Sequence, residues 1–205
     1  MTPRTLDHVA LWVTKRDAIA DALVDRLGMH VIERTDRFTL VGFDARRGKL
    51  TLFDAEGPRE QGALKHVAFG VPGGGEDLEL PDGLVLKVVD GDGDLDHVAL
   101  CSADPEATAE EYTRFGFEPA GPRRVEVAGA FVEFHEGDPG DPERPLLNHL
   151  AVLVGSAEEH RLEAEDAGIE VADFVDAANT IAVFVWGPER VKIEYVEHKP
   201  TFALT

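Results

Sequence analysis

Cysteine is almost missing from this chain. Cys101 is the only one in 205 residues, so the chain forms no internal disulfide and no cysteine-based zinc site. No apolar run approaches the roughly 18 residues that a membrane-spanning helix needs. Residues 1–7 carry no apolar export signal, and a patterned strand starts almost at once. A soluble cytoplasmic protein is the expectation. Basic residues are also scarce: 20 Lys and Arg stand against 40 Asp and Glu, for a formal charge of −20. That field repels nucleic acid and anionic membranes, so neither is an expected partner. It would also slow anionic substrates unless a local metal or basic cluster offsets it. What remains is ordinary: 43% hydrophobic residues and length for one large domain or two small ones.

One short pattern occurs four times: a polar residue, His, an aliphatic residue, Ala. It stands at 7–10 (Asp-His-Val-Ala), 65–68 (Lys-His-Val-Ala), 96–99 (Asp-His-Val-Ala) and 148–151 (Asn-His-Leu-Ala). Each copy opens an alternating apolar stretch that reads as a strand. Residues two apart on a strand share a face, so His8, Ala10 and Trp12 point one way. His97, Ala99 and Cys101 match them, as do His149, Ala151 and Leu153.

A helix follows three of these strands. Residues 16–27 have helical spacing and stop at Gly28. Asp104 and Pro105 give a cap and first turn, and that helix stops at Gly116. Ser156 and Glu159 fit a capping box, and that helix stops at Gly168. Three further strands complete each unit, so the repeat is βαβββ. The second unit is degenerate: Pro-Gly-Gly-Gly at 72–75 replaces a helix. The fold class is therefore α+β, four tandem modules forming two cupped mixed sheets. Sequence order suggests two domains, 1–92 and 93–205, divided in the Gly/Asp stretch 90–94.

This pattern resembles the vicinal-oxygen-chelate superfamily of glyoxalases, bleomycin-resistance proteins and extradiol dioxygenases, and the resemblance spans Leu6 to Lys199. In that family two modules pair into a cup, and ligands come from their first and last strands. With neighbouring modules paired, the resemblance implies a metal held by His97, His149 and Glu194, with Glu133 as fourth ligand or base. His8, Thr51, His66 and Lys87 stand at the corresponding places in the first two modules. Lacking a carboxylate, that cup is expected to be structural or to shape a pocket.

Two imidazoles and one carboxylate on one side of an ion leave the opposite positions open. Fe(II) is the first metal implied, with Mn, Ni, Co or Zn as alternatives. A small molecule with vicinal oxygens would chelate it, as in extradiol ring cleavage of a catechol-like substrate. A glyoxalase-like isomerase, epimerase or lyase is the alternative, and a metal-free drug-binding protein the third reading. His135 shares the Glu133 face and would handle protons. The tyrosine that ring-cleaving enzymes place before the last ligand is missing from 182–186. Arg123 and Arg124 lie on the surface or bind an anionic substrate. Cys101, Tyr195 and Trp186 are expected to pack inside, while His30, His160 and His198 are expected to be exposed. Both halves of the site lie in one chain, so a homodimer is compatible but not required.

Overall fold

A computed structural model describes residues 3–204. The four units form as the pattern requires. The first holds β1 (Thr5–Val13), α1 (Arg16–Leu27), β2 (His30–Arg34), β3 (Phe38–Asp44) and β4 (Arg47–Asp54). The second holds only β5 (Leu64–Val71), β6 (Leu78–Glu79) and β7 (Val85–Asp90), with no α-helix. The third holds β8 (Asp94–Ser102), α2 (Pro105–Tyr112), β9 (Glu118–Gly121), β10 (Arg124–Val127) and β11 (Ala130–Glu136). The fourth holds β12 (Leu147–Leu153), α3 (Ala157–Asp166), β13 (Val171–Asp176), β14 (Thr180–Trp186) and β15 (Lys192–His198).

The helix ends follow local chemistry. Asp104 accepts from the Ala107 amide at 3.1 Å, and Ser156 accepts from the Glu159 amide at 3.2 Å. Gly28 closes α1 at φ +72°, a conformation that costs glycine little. Ile19, Leu23 and Leu27 recur every fourth residue of α1 and are buried. Such a stripe places one helix face on the sheet. Val9, Leu11 and Val13, on the β1 face opposite His8, join the same core, which runs through both sheets.

The pairing of modules differs from sequence order. The eight-stranded sheet runs β13-β14-β15-β12-β1-β4-β3-β2, and the seven-stranded sheet runs β6-β7-β5-β8-β11-β10-β9. The first module therefore pairs with the fourth, and the second with the third. A boundary between 92 and 93 separates no two sheets; it cuts the smaller one in half. The linkers explain this. Only residues 91–93 separate β7 from β8, too few to leave the sheet. The linker crosses the end of β5, where a Cβ on Gly91 would lie 2.8 Å from the Gly70 Cα. Two glycines permit that crossing. The longer linkers, 55–63 and 137–146, pass between sheets side by side. There Glu60 donates its amide to Arg144 and accepts from the Leu146 amide at 2.7 Å.

Two further ties join the sheets. Asp82, at φ +63° in the turn Pro81–Gly83, accepts from the Thr14 amide and hydroxyl, both at 2.7 Å. Glu189, at φ +54° in the turn Pro188–Arg190, accepts from the Ser102 hydroxyl at 2.7 Å. Each acid precedes the last strand of its module and binds at the end of the first strand of the preceding module. The repeat has thus kept the same cross-sheet contact twice.

Candidate metal centres

The larger sheet brings three modular positions together. β1 and β12 run antiparallel with Ala10 opposite His149, and β12 and β15 run parallel with Ala151 opposite Glu194. β4 lies on the other side of β1, with Lys49 opposite His8 and Thr51 opposite Ala10. Alternation then puts His8, His149, Glu194, Lys49 and Thr51 on one face. The His8 and His149 Nε2 atoms lie 3.1 Å apart. Glu194 Oε2 is 3.2 Å from the first and 2.8 Å from the second. No hydrogen bond of good geometry ends on that buried oxygen.

The distances carry information. Ligands at right angles about an ion, with bonds of about 2.1 Å, lie about 3.0 Å apart; tetrahedral ligands lie about 3.4 Å apart. The outer cluster fits three mutually adjacent corners of an octahedron. Its surroundings hold the three side chains in place. Asp7, 1% exposed, bonds His8 Nδ1 at 2.7 Å, and Asn148 Oδ1 lies 3.2 Å from His149 Nδ1. Such partners fix the ring that a metal would bind. Asp7 also accepts from Lys49 Nζ at 2.7 Å and lies 3.1 Å from His198 Nε2.

The smaller sheet repeats the design. β5 and β8 set Ala68 opposite His97, β8 and β11 set Ala99 opposite Glu133, and β5 and β7 set Ala68 opposite Lys87. His66 and His97 Nε2 atoms lie 3.0 Å apart, and His97 Nε2 is 3.6 Å from Glu133 Oε1. His135 bonds that same oxygen at 2.9 Å. This inner cluster is more open, with the Glu133 side chain 28% exposed. Lys87 turns outward to Asp77.

Burial and the neighbouring charges together set the charge states. Burial pulls the His8 imidazolium down, but the Asp7 hydrogen bond and the Glu194 carboxylate close beside the ring outweigh it, raising the pKa to about 9. Burial pushes Glu194 up, yet His149 and His8 outweigh it and hold the carboxyl at about 2. Burial also raises Asp7, and the Lys49 charge with the two histidine bonds brings it well below the usual range. His149 is lowered by burial despite Glu194. The outer cluster thus carries one proton-borne charge, on His8, between two carboxylates. In the inner cluster burial and the His97 charge lower His66 to about 4. Burial raises Glu133, but the His135 bond and the histidine charges lower it further.

The anticipated set is therefore divided. His149 and Glu194 meet in the larger sheet; His97, Glu133 and His135 meet in the smaller. Glu133 and Glu194 do not share a cup. His8 and His66, expected to be structural, complete the two clusters. His198, expected to be exposed, has a side chain only 9% exposed and stacks on Phe202 at 4.1 Å. His160 is buried against Tyr195 rather than exposed. Trp186 is half-buried and lines a cavity. The equal standing of the four His-aliphatic-Ala repeats, and the short 91–93 linker, were the signals for this regrouping.

The outer cluster opens into a cavity of about 340 Å³. Phe38, Phe53 and Phe184 form an aromatic wall, Thr51 and Lys49 line the floor, and Phe202 and Leu204 close one side. No helix among the described residues is long and apolar enough to cross a membrane.

No protein-family model and no curated protein sequence matches this chain. Solved structures do match in fold. A candidate dioxygenase from Bacillus subtilis superposes with a TM-score of 0.78 over 98% of this chain and 87% of its own, at 15% identity. Glyoxalase I from Zea mays gives 0.71 over 96% of this chain and 92% of its own, at 16% identity. The cppA protein of Streptococcus pneumoniae gives 0.60 over 95% and 98%, at 11% identity.

Proposed function

Because the chain has the vicinal-oxygen-chelate fold, we propose that it is a metal-dependent enzyme acting on a small molecule with two adjacent oxygens, with His8, His149 and Glu194 as ligands. The observation that carries this is the convergence of two Nε2 atoms and an orphaned carboxylate oxygen within 3.2 Å, at the wall of an aromatic cavity. A divalent ion there supplies Lewis acidity and open positions for two substrate oxygens.

Thr51 selects among reactions. It occupies the corner where a fourth carboxylate would stand, and its hydroxyl is a poor base. A glyoxalase-type proton abstraction needs that carboxylate, so the three-ligand set favours extradiol-type dioxygenation of a catechol-like diol, with Fe(II) as the metal. Asp7 and Asn148 orient the two histidines. Phe38, Phe53 and Phe184 hold a flat ring and exclude water. His198 and Lys49, both bonded to Asp7, are cavity groups able to hold or pass a proton; no tyrosine lines this cavity. His66, His97 and Glu133 form a second, weaker metal position, with His135 positioning Glu133.

The test is metal content after anaerobic reconstitution, in the parent, His149→Ala and His97→Ala, followed by oxygen uptake with a catechol. We expect two ions in the parent and one in each variant, with oxygen uptake lost only in His149→Ala. A parent that takes up no Fe, Mn, Zn or Ni overturns the enzyme reading and leaves a binding protein. Metal loading without oxygen uptake on any diol overturns the dioxygenase assignment alone.

A further inference from the structure

A second cavity, of about 250 Å³, adjoins the outer cluster on the same sheet face. Trp12 and Trp186 line it, together with Leu147, Asn148 and Lys192. They are the only two tryptophans in the chain. Lys192 Nζ lies 5.2 Å from the centre of the Trp186 ring and 6.0 Å from that of Phe184. Phe184 lines the cavity of the metal cluster, so the ammonium stands between the two spaces. Leu150 faces Ile193 in the parallel register of β12 and β15, which sets Lys192 beside His149.

Among the described residues Lys192 makes no ion pair, in a chain with twice as many acids as bases. Arg190, at the rim, is paired with Asp141 at 3.5 Å. Asp141 and Glu143 also line the cavity, but both are exposed, where solvent and salt weaken their repulsion. A half-buried lysine between aromatic faces stands in a place of reduced water access, where an incoming anion would be held more strongly than in bulk water. A cavity of roughly 150 Å³ accepts benzene, so this one has room for a ring bearing a carboxylate.

We propose that this cavity is an anion subsite, and that the substrate is an aromatic carboxylate whose acid group binds Lys192 while its adjacent oxygens face His8, His149 and Glu194. The chelating half of this statement rests on the proposed metal centre; the anion half does not. Lys192 is then a specificity residue. It offsets the overall negative field at this cavity. Trp12 and Trp186 line the subsite of the acid group, while the ring lies toward Phe184 and the metal cluster.

Both tryptophans report on the cavity, so binding is read from their fluorescence in metal-free protein, with calorimetry as a check. The probes are 3,4-dihydroxybenzoate and its neutral amide. The acid should bind the parent saturably, and the amide roughly tenfold more weakly, the ratio expected for one charge-assisted contact worth about 1.4 kcal/mol. Lys192→Met should erase the preference for the acid, and Lys192→Arg should restore most of it. Equal affinity of acid and amide for the parent, or an unchanged preference in Lys192→Met, overturns the proposal. So does failure of the acid to perturb either tryptophan. Because no metal is present, these results stand whether or not the metal centre loads.

Discussion

The outer and inner clusters contain the same candidate ligands, two histidines and a glutamate, from the same repeat positions. They differ in what surrounds them. In the outer cluster each histidine has a neighbour on Nδ1, and Asp7 is sealed in with Lys49 and His198. In the inner cluster Asp96 bonds His97 from a position 36% exposed, and the residue before His66 is Lys65, which points outward. Donor identity alone therefore does not define a centre; the buried partners behind the donors hold them to one geometry. The tight 2.8–3.2 Å triangle of the outer cluster and the 3.6 Å gap in the inner one are the measurable result.

The largest expected contrast is between Asp7→Asn and Asp96→Asn. The first leaves the buried Lys49 and His8 charges without their shared partner, and should cost about 3–5 kcal/mol in urea unfolding. The second loosens a partly exposed pair and should cost about 0–1 kcal/mol. Equal costs would mean that the burial difference has no energetic consequence.

A second contrast lies in pH. His8 has its folded pKa raised to about 9. Its contribution is fully present below the ordinary value near 6.5 and is lost as pH rises through 9; it amounts to roughly 3 kcal/mol in the metal-free protein. His66 has its folded pKa lowered to about 4, so stability is lost as pH falls from 6.5 toward 4. His8→Gln should flatten the alkaline limb of a stability profile, and His66→Gln the acid limb. If either variant flattens the opposite limb, the assigned charge states are wrong.

A smaller effect concerns metal uptake. Loading the outer cluster at pH 7 should release about one proton, from His8, while the inner cluster, with His66 already neutral, should release less. Calorimetry in buffers of different ionisation enthalpy measures both. Smallest of all, Lys87→Glu should tighten metal at the inner cluster without changing uptake at the outer one. Loss of metal from the inner cluster in that variant would show that Lys87 supports the cluster.

Much of this was legible in the sequence. The periodicity of β1, β8 and β12, the caps at Asp104 and Ser156, and the missing second helix all follow from local rules, and each stands in the structure. The repeat aligns His149 and Glu194, and the structure brings those two side chains together. The partners were not legible, because a repeat fixes which strand positions can carry ligands and says nothing about which module lies next to which. That choice is made by chain lengths between strands and by Gly70 and Gly91 meeting at a crossing. Asp7 and Lys49 were missed for another reason. They are 42 positions apart, and their pairing depends on the parallel register of β1 and β4.

The nested order of the modules has a consequence for the birth of the protein. His8 and His149 are separated by 141 positions, while the second and third modules are joined by three residues. As the chain leaves the ribosome, the inner sheet can close as soon as β11 emerges. β1, made first, must wait with one edge open until β12 and β15 arrive, and such long-range closure is slow and exposed to misassociation. The outer centre is the last part of the molecule to exist. A nascent chain stalled short of residue 147 holds all three residues of the inner cluster and only His8 of the outer one.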